Sequence, residues 1–90
     1  PDSRDAEQVV LHAELTSSAV WKLQSDNRFG PWIERREDGS GRMAVPVASS
    51  DLPFYVDLVW RLGAEARIVE PPAAVDAVRA KLADLQAQYR

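Results

Sequence analysis

His12 is the only histidine of the chain, and Glu14 follows it at the two-residue spacing that puts side chains on one face of a strand. An imidazole beside a carboxylate is part of a general acid–base device. It becomes a catalytic site only with a nucleophile or a bound substrate in reach, and none is indicated. There is no cysteine, hence no thiol nucleophile, disulfide or Cys-based zinc site. No second histidine completes a metal-ligand pair, and the acidic residues do not follow the spacing of a calcium loop. Asp38-Gly39-Ser40-Gly41 is glycine-rich, yet a phosphate cradle needs longer spacing and a helix directly after it. Here Arg42 opens a strand, so the segment reads as a hairpin turn. The expectation is a protein without catalytic residues, metal or cofactor, in which His12 is structural.

The arginines point elsewhere. Arg28, Arg35, Arg36 and Arg42 gather around the central hairpin, interleaved with Phe29 and Trp32. Guanidinium groups for phosphates and aromatic faces for bases are what a single-stranded nucleic acid needs. Against this stand Glu34, Glu37 and Asp38, a net charge of −3, and a third strand, Arg-Met-Ala-Val-Pro-Val, without the aromatics of RNA-recognition sheets. The competing expectation is a solvated charged hairpin with Trp32 as its packing anchor.

These residues depend on the elements that carry them. Val9, Leu11, Ala13 and Leu15 alternate with Val10, His12 and Glu14, the pattern of a half-buried strand over 8–16. Thr16 or Ser17 caps a helix over about 17–27, with Val20, Leu23 and Trp21 towards the core. Residues 32–37 and 42–48 read as two strands joined by the Asp38–Gly41 turn, and Pro46 marks an edge or bulge in the second. Asp51 caps a helix that runs to about Leu62 and stops at Gly63, a left-handed helix end. Ala64–Glu70 is the last strand, with Ala66 and Ile68 facing in. Pro71-Pro72 ends it, and a final helix covers about 72–89. Strand–helix–strand, twice over with right-handed crossovers, gives an α+β fold: a ferredoxin-like βαββαβ sandwich with an extra C-terminal helix.

The second helix is more apolar than a two-layer sandwich requires. Tyr55, Leu58, Val59 and Leu62 supply the inward stripe, which leaves Val56 and Trp60 pointing sideways or outwards. The last helix carries Val75, Val78, Leu82, Leu85 and Tyr89 at spacings of 3 and 4, a narrow seam opposite Asp76, Arg79, Lys81 and Asp84. Covering of Val56 and Trp60 by that helix and contact with another chain fit the pattern equally well. A two-fold homodimer is the commonest closed assembly, so the expected interface is Val56, Trp60, Leu82, Leu85 and Tyr89. Ninety residues make one small domain of marginal stability. No apolar run approaches a membrane span and no signal peptide is visible, which fits the cytoplasm.

The stretch from Trp60 to Pro72, with the strand at Val9–Leu15, resembles the C-terminal extension (WCX) domain of bacterial WYL-domain transcriptional regulators. The residues that carry the resemblance are Leu58-Val59-Trp60-Arg61-Leu62-Gly63, then Ala64-Glu65-Ala66-Arg67-Ile68-Val69-Glu70-Pro71, then the helix Val75–Tyr89. It implies residues 1–7 as a linker from an upstream WYL domain and 8–90 as a regulatory domain. It also implies an upstream winged helix-turn-helix that reads duplex DNA. The expected function is therefore non-catalytic: dimerisation, effector sensing, or both, with single-stranded nucleic acid among the effectors. The alternative is a small-molecule-binding regulatory domain of ferredoxin-like fold, with a pocket near the open sheet face around His12 and Arg67.

Overall fold

A computed structural model describes residues 7–88. The domain is α+β, with a four-stranded antiparallel sheet and three α-helices. The strands are β1 (Gln8–Leu15), β2 (Ile33–Arg35), β3 (Gly41–Ala48) and β4 (Ala66–Glu70), and their order across the sheet is β2-β3-β1-β4. The helices are α1 (Ser17–Leu23), α2 (Leu52–Trp60) and α3 (Pro72–Gln88). Period-two alternation decides which face each strand buries. Leu11, Ala13 and Leu15 of β1 and Met43, Val45 and Val47 of β3 form the floor of the core. Ala19, Val20 and Leu23 of α1 and Leu52, Val56 and Val59 of α2 close it from above. Among the described residues no helix covers the opposite face.

The hairpin turns on Gly39, whose φ of +92° lies where only glycine is at ease. The Asp38 carboxylate accepts from the Ser40 amide at 2.9 Å and from its hydroxyl at 2.6 Å, which holds Asp38 below its usual carboxylate range. Gly41 answers a different need. A Cβ there would stand 2.9 Å from Val20 Cγ2 and 3.0 Å from the Glu34 carbonyl oxygen, so α1 rests directly on the strand. β2 is shorter than its sequence pattern. It pairs only with Gly41–Met43, and Trp32 falls in the 3-10 turn before it. Pro46, opposite Val10 of β1, therefore sits where β3 has no strand neighbour on its β2 side, as an edge position requires.

Three helix expectations are corrected. Thr16 caps α1 by accepting from the Ala19 amide at 3.2 Å, but the helix ends at Leu23 rather than near 27. The Asp26 side chain accepts from the amides of Arg28 and Phe29 at 2.7 and 3.0 Å, a local turn that competes with continued helix. Trp21 faces solvent with 74% of its surface exposed, because the inward stripe of so short a helix is filled by Ala19, Val20 and Leu23. Asp51 stands at the start of α2 without a capping bond. It closes the 3-10 turn Ser49–Asp51, and its backbone is already helical rather than extended. Gly63 does end the α2 segment in the left-handed region, at φ +64°.

The inward stripe of α2 is Leu52, Val56 and Val59; of the expected Tyr55, Leu58, Val59 and Leu62, Val59 is buried as expected and the other three pack partly buried against the core. Val56 is 1% exposed and belongs to the core, which corrects its assignment as an outward interface residue. The reason is two-sided cover: the sheet lies under α2, and α3 docks along the side of α2 and β4 through Ala74, Ala77 and Val78. A Lys81–Asp57 ion pair joins α3 to α2. Trp60 is half-buried at the same junction. Beyond it the seam runs free, with Leu82 at 46% and Leu85 at 40% exposure. Tyr89 lies outside the described residues.

Candidate functional site

The uncovered sheet face gathers the residues that carry chemistry. β1 presents Val10, His12 and Glu14, and β3 presents Arg42, Ala44 and Pro46, all opposite in phase to the core residues. The register places His12 opposite Ala44, and Glu14 opposite Arg42. The hairpin places Glu34 opposite Arg42, and β4 places Arg67 opposite Glu14. One row across the face thus alternates in charge: Glu34, Arg42, Glu14, Arg67.

Beside this row lies a hollow of about 250 Å³ lined by His12, Trp32, Glu34, Arg42 and Ala44. Ala44 is small, which leaves depth between the rings of its neighbours. Arg42 Nη2 lies 3.4 Å from His12 Nδ1. A guanidinium has donors only, so Nδ1 can take part in a hydrogen bond here only as the acceptor. Arg42 Nε is 3.9 Å from Glu14 Oε2. Trp32 keeps 46% of its surface exposed at the wall of the hollow. The set offers an aromatic plane, a guanidinium and a carboxylate within one shallow depression. A planar polar group could stack on Trp32, accept from Arg42 and donate to Glu34.

The arginines predicted as one cluster are divided. Arg42 and Trp32 share the hollow. Arg36 Nη2 holds Glu14 Oε1 at 2.7 Å and so serves the charged row. Arg35, opposite Gly41, takes the other face of β2 from Glu34 and is exposed. Arg28 lies on the helical side, its guanidinium 5.5 Å from the Phe54 ring centroid and 6.0 Å from that of Tyr55. Phe29, not Trp32, is the packing anchor: it is buried, edge-on to Tyr55 with ring centroids 6.1 Å apart. Arg67 shares the open face with His12 but stands at the β4 end of the charged row, beyond Glu14, and does not line the hollow that holds His12. Glu34 and Ala44 were missed as site residues. Both are recoverable from the hairpin register once Asp38-Gly39 is fixed as the turn. Among the described residues, no group of three or more His, Cys, Asp or Glu could hold a metal ion. No helix among them is long and apolar enough to cross a membrane.

The family model described as "WCX domain" matches residues 6–86 of the 90. The chain belongs to the WCX domain family. No curated protein and no solved structure matches it at a significant level. The matched span of this WCX domain runs from β1 into the free half of α3, so it includes both the open face and the docked helix.

Proposed function

We propose that this WCX domain is the non-catalytic C-terminal regulatory part of a WYL-type DNA-binding transcriptional regulator of the cytoplasm. In this proposal its fold is a ferredoxin-like sandwich whose uncovered sheet face receives an effector. The observation that carries the proposal is Trp32, half-exposed at the wall of a hollow that also holds Arg42, His12 and Glu34. A large aromatic left uncovered beside a guanidinium suits a stacked base with its phosphate, so single-stranded nucleic acid is the favoured effector class.

The division of the arginines limits the strength of such binding. With Arg28 on the helical side and Arg36 held by Glu14, few phosphates are contacted. Each contacted phosphate contributes a salt slope of about −0.7 for a single strand, so a shallow slope of about one to two is expected. Fluorescence anisotropy with a labelled single-stranded oligonucleotide at two salt concentrations tests this. Saturable binding that Trp32→Ala and Arg42→Gln each weaken about tenfold supports the proposal. Absence of binding, or binding indifferent to both substitutions, ends it.

Exposed Leu82 and Leu85 favour a second role, two-fold self-association through the free half of α3. Sedimentation over a wide concentration range tests it, and a strict monomer throughout removes it for this domain.

A further inference from the structure

The open-face hollow can tell one base from another, given the stacked base proposed above, on which this inference rests. Trp32 forms a plane but sets no preference, since every base has a π-face. Identity is set at the ring edge, where the lining offers Arg42, Glu34 and His12. Size comes first: an engineered cavity of ~150 Å³ admits one benzene ring. At about 250 Å³ the hollow takes a two-ring purine.

Glu34 and Arg42 are cross-strand partners on β2 and β3, one residue along from the core-facing pair Ile33 and Met43. A carboxylate only accepts and a guanidinium only donates, so a fork of acceptors stands beside a fork of donors. Neither fork is tightly engaged. Among the described residues no ion pair forms on Glu34. Arg42 makes only long contacts, 3.4 Å to His12 Nδ1 and 3.9 Å to Glu14 Oε2, while Arg36 holds Glu14 more closely at 2.7 Å.

Guanine matches both forks. Its N1–H and N2 amino group donate side by side, and O6 and N7 accept along the adjoining edge. Adenine, cytosine and thymine each carry a single nitrogen that donates from the base edge, so none serves both oxygens of a carboxylate in this way. We propose that the hollow selects guanine, stacked on Trp32, with N1–H and the N2 amino group donating to the Glu34 carboxylate and O6 and N7 accepting from Arg42. The N–H donors of Arg42 are numerous enough to serve this edge and a neighbouring phosphate together. A guanine within a single strand and a free guanine nucleotide present the same chemistry.

Two probes test this on the 90-residue chain. The first is GMP against IMP, which lacks only the N2 amino group, followed by NMR at the Trp32 indole N–H. The second is a thymidine oligonucleotide with one central dG or deoxyinosine, followed by fluorescence anisotropy. Guanine is expected to bind about five- to tenfold more tightly than hypoxanthine in either setting. Glu34→Gln is expected to bring the two within about twofold of each other. Glu37→Gln, on the same hairpin but outside the lining, is expected to leave the preference unchanged. The ratio is the readout, because removing a carboxylate strengthens the binding of any anion. A preference for guanine that survives in Glu34→Gln, or that neither probe shows, overturns the proposal. Oligonucleotides bound without preference overturn guanine selection alone and leave the single-strand reading standing. GMP preferred over IMP with no oligonucleotide bound supports guanine selection and ends the single-strand reading.

Discussion

Along β1 the inward residues Leu11, Ala13 and Leu15 are all but sealed from water, while Val10 on the opposite face is largely open and His12 and Glu14 are half-buried. β3 repeats the contrast, with Met43, Val45 and Val47 inside and Arg42, Ala44 and Pro46 outside. The same strands thus serve two surfaces with different duties. The covered face supplies the burial that a chain of 90 residues needs to fold. The open face contributes little to that burial, so its residues are not tied to the core and are available for the effector binding proposed above. Trp32, left uncovered in a domain short of apolar burial, is the clearest case.

Core truncation should separate the two faces most sharply. Leu11→Ala, at a fully buried position, should cost about 3 kcal/mol and lower Tm by upward of ~12 °C. Trp32→Ala should stay within about 0.5–1 kcal/mol of the wild type in the same denaturant titration. Equal costs would mean that the open face is part of the folding core. A smaller effect is expected at Gly41, where α1 touches the sheet. Gly41→Ala forces its methyl against Val20 and the Glu34 carbonyl and should cost about 1–3 kcal/mol. An unchanged midpoint would show that α1 can lift without loss.

The smallest effect lies at the rim of the covered side. Lys22 Nζ holds Glu65 Oε2 at 2.6 Å, and with a weaker contribution from Ser18 this keeps the Glu65 carboxyl below the usual glutamate range. A carboxylate whose pKa is depressed by folding stabilises the fold above its unfolded pKa. That contribution fades as pH falls through the lower folded value. Glu65→Gln should therefore flatten the acid limb of the Tm–pH curve slightly and leave the neutral limb parallel. Superimposable acid limbs would show the pair to be decorative.

Much of this was legible in the sequence because it rests on local chemistry. Alternation in β1, the Asp38-Gly39 turn and the left-handed Gly63 each follow from residue type at one position. What was not legible depended on neighbours distant in the chain. The face that α2 buries is set by α3 docking beside it, so Val56 could not be separated from Trp60 by periodicity alone. The end of α1 depends on the Asp26 side chain capturing two amides, a choice that helical spacing does not reveal. The arginine cluster failed for a simpler reason. Closeness in sequence ignores the pleat, which sends Arg35 and Glu34 to opposite faces, and it ignores the loop that takes Arg28 under Phe54 and Tyr55. Trp32 and Arg42 lie ten positions apart, yet the hairpin folds them to one hollow.

Pro46 bears on how copies of the domain can meet. Past Met43 the β2 side of β3 lies open, and an open strand is a template on which another chain can add its own backbone. Proline offers no N–H to an arriving strand, and its ring stands in the way of close approach. Growth of the sheet from molecule to molecule is blunted at that border, which leaves the side-chain surfaces as the ground for the self-association proposed above.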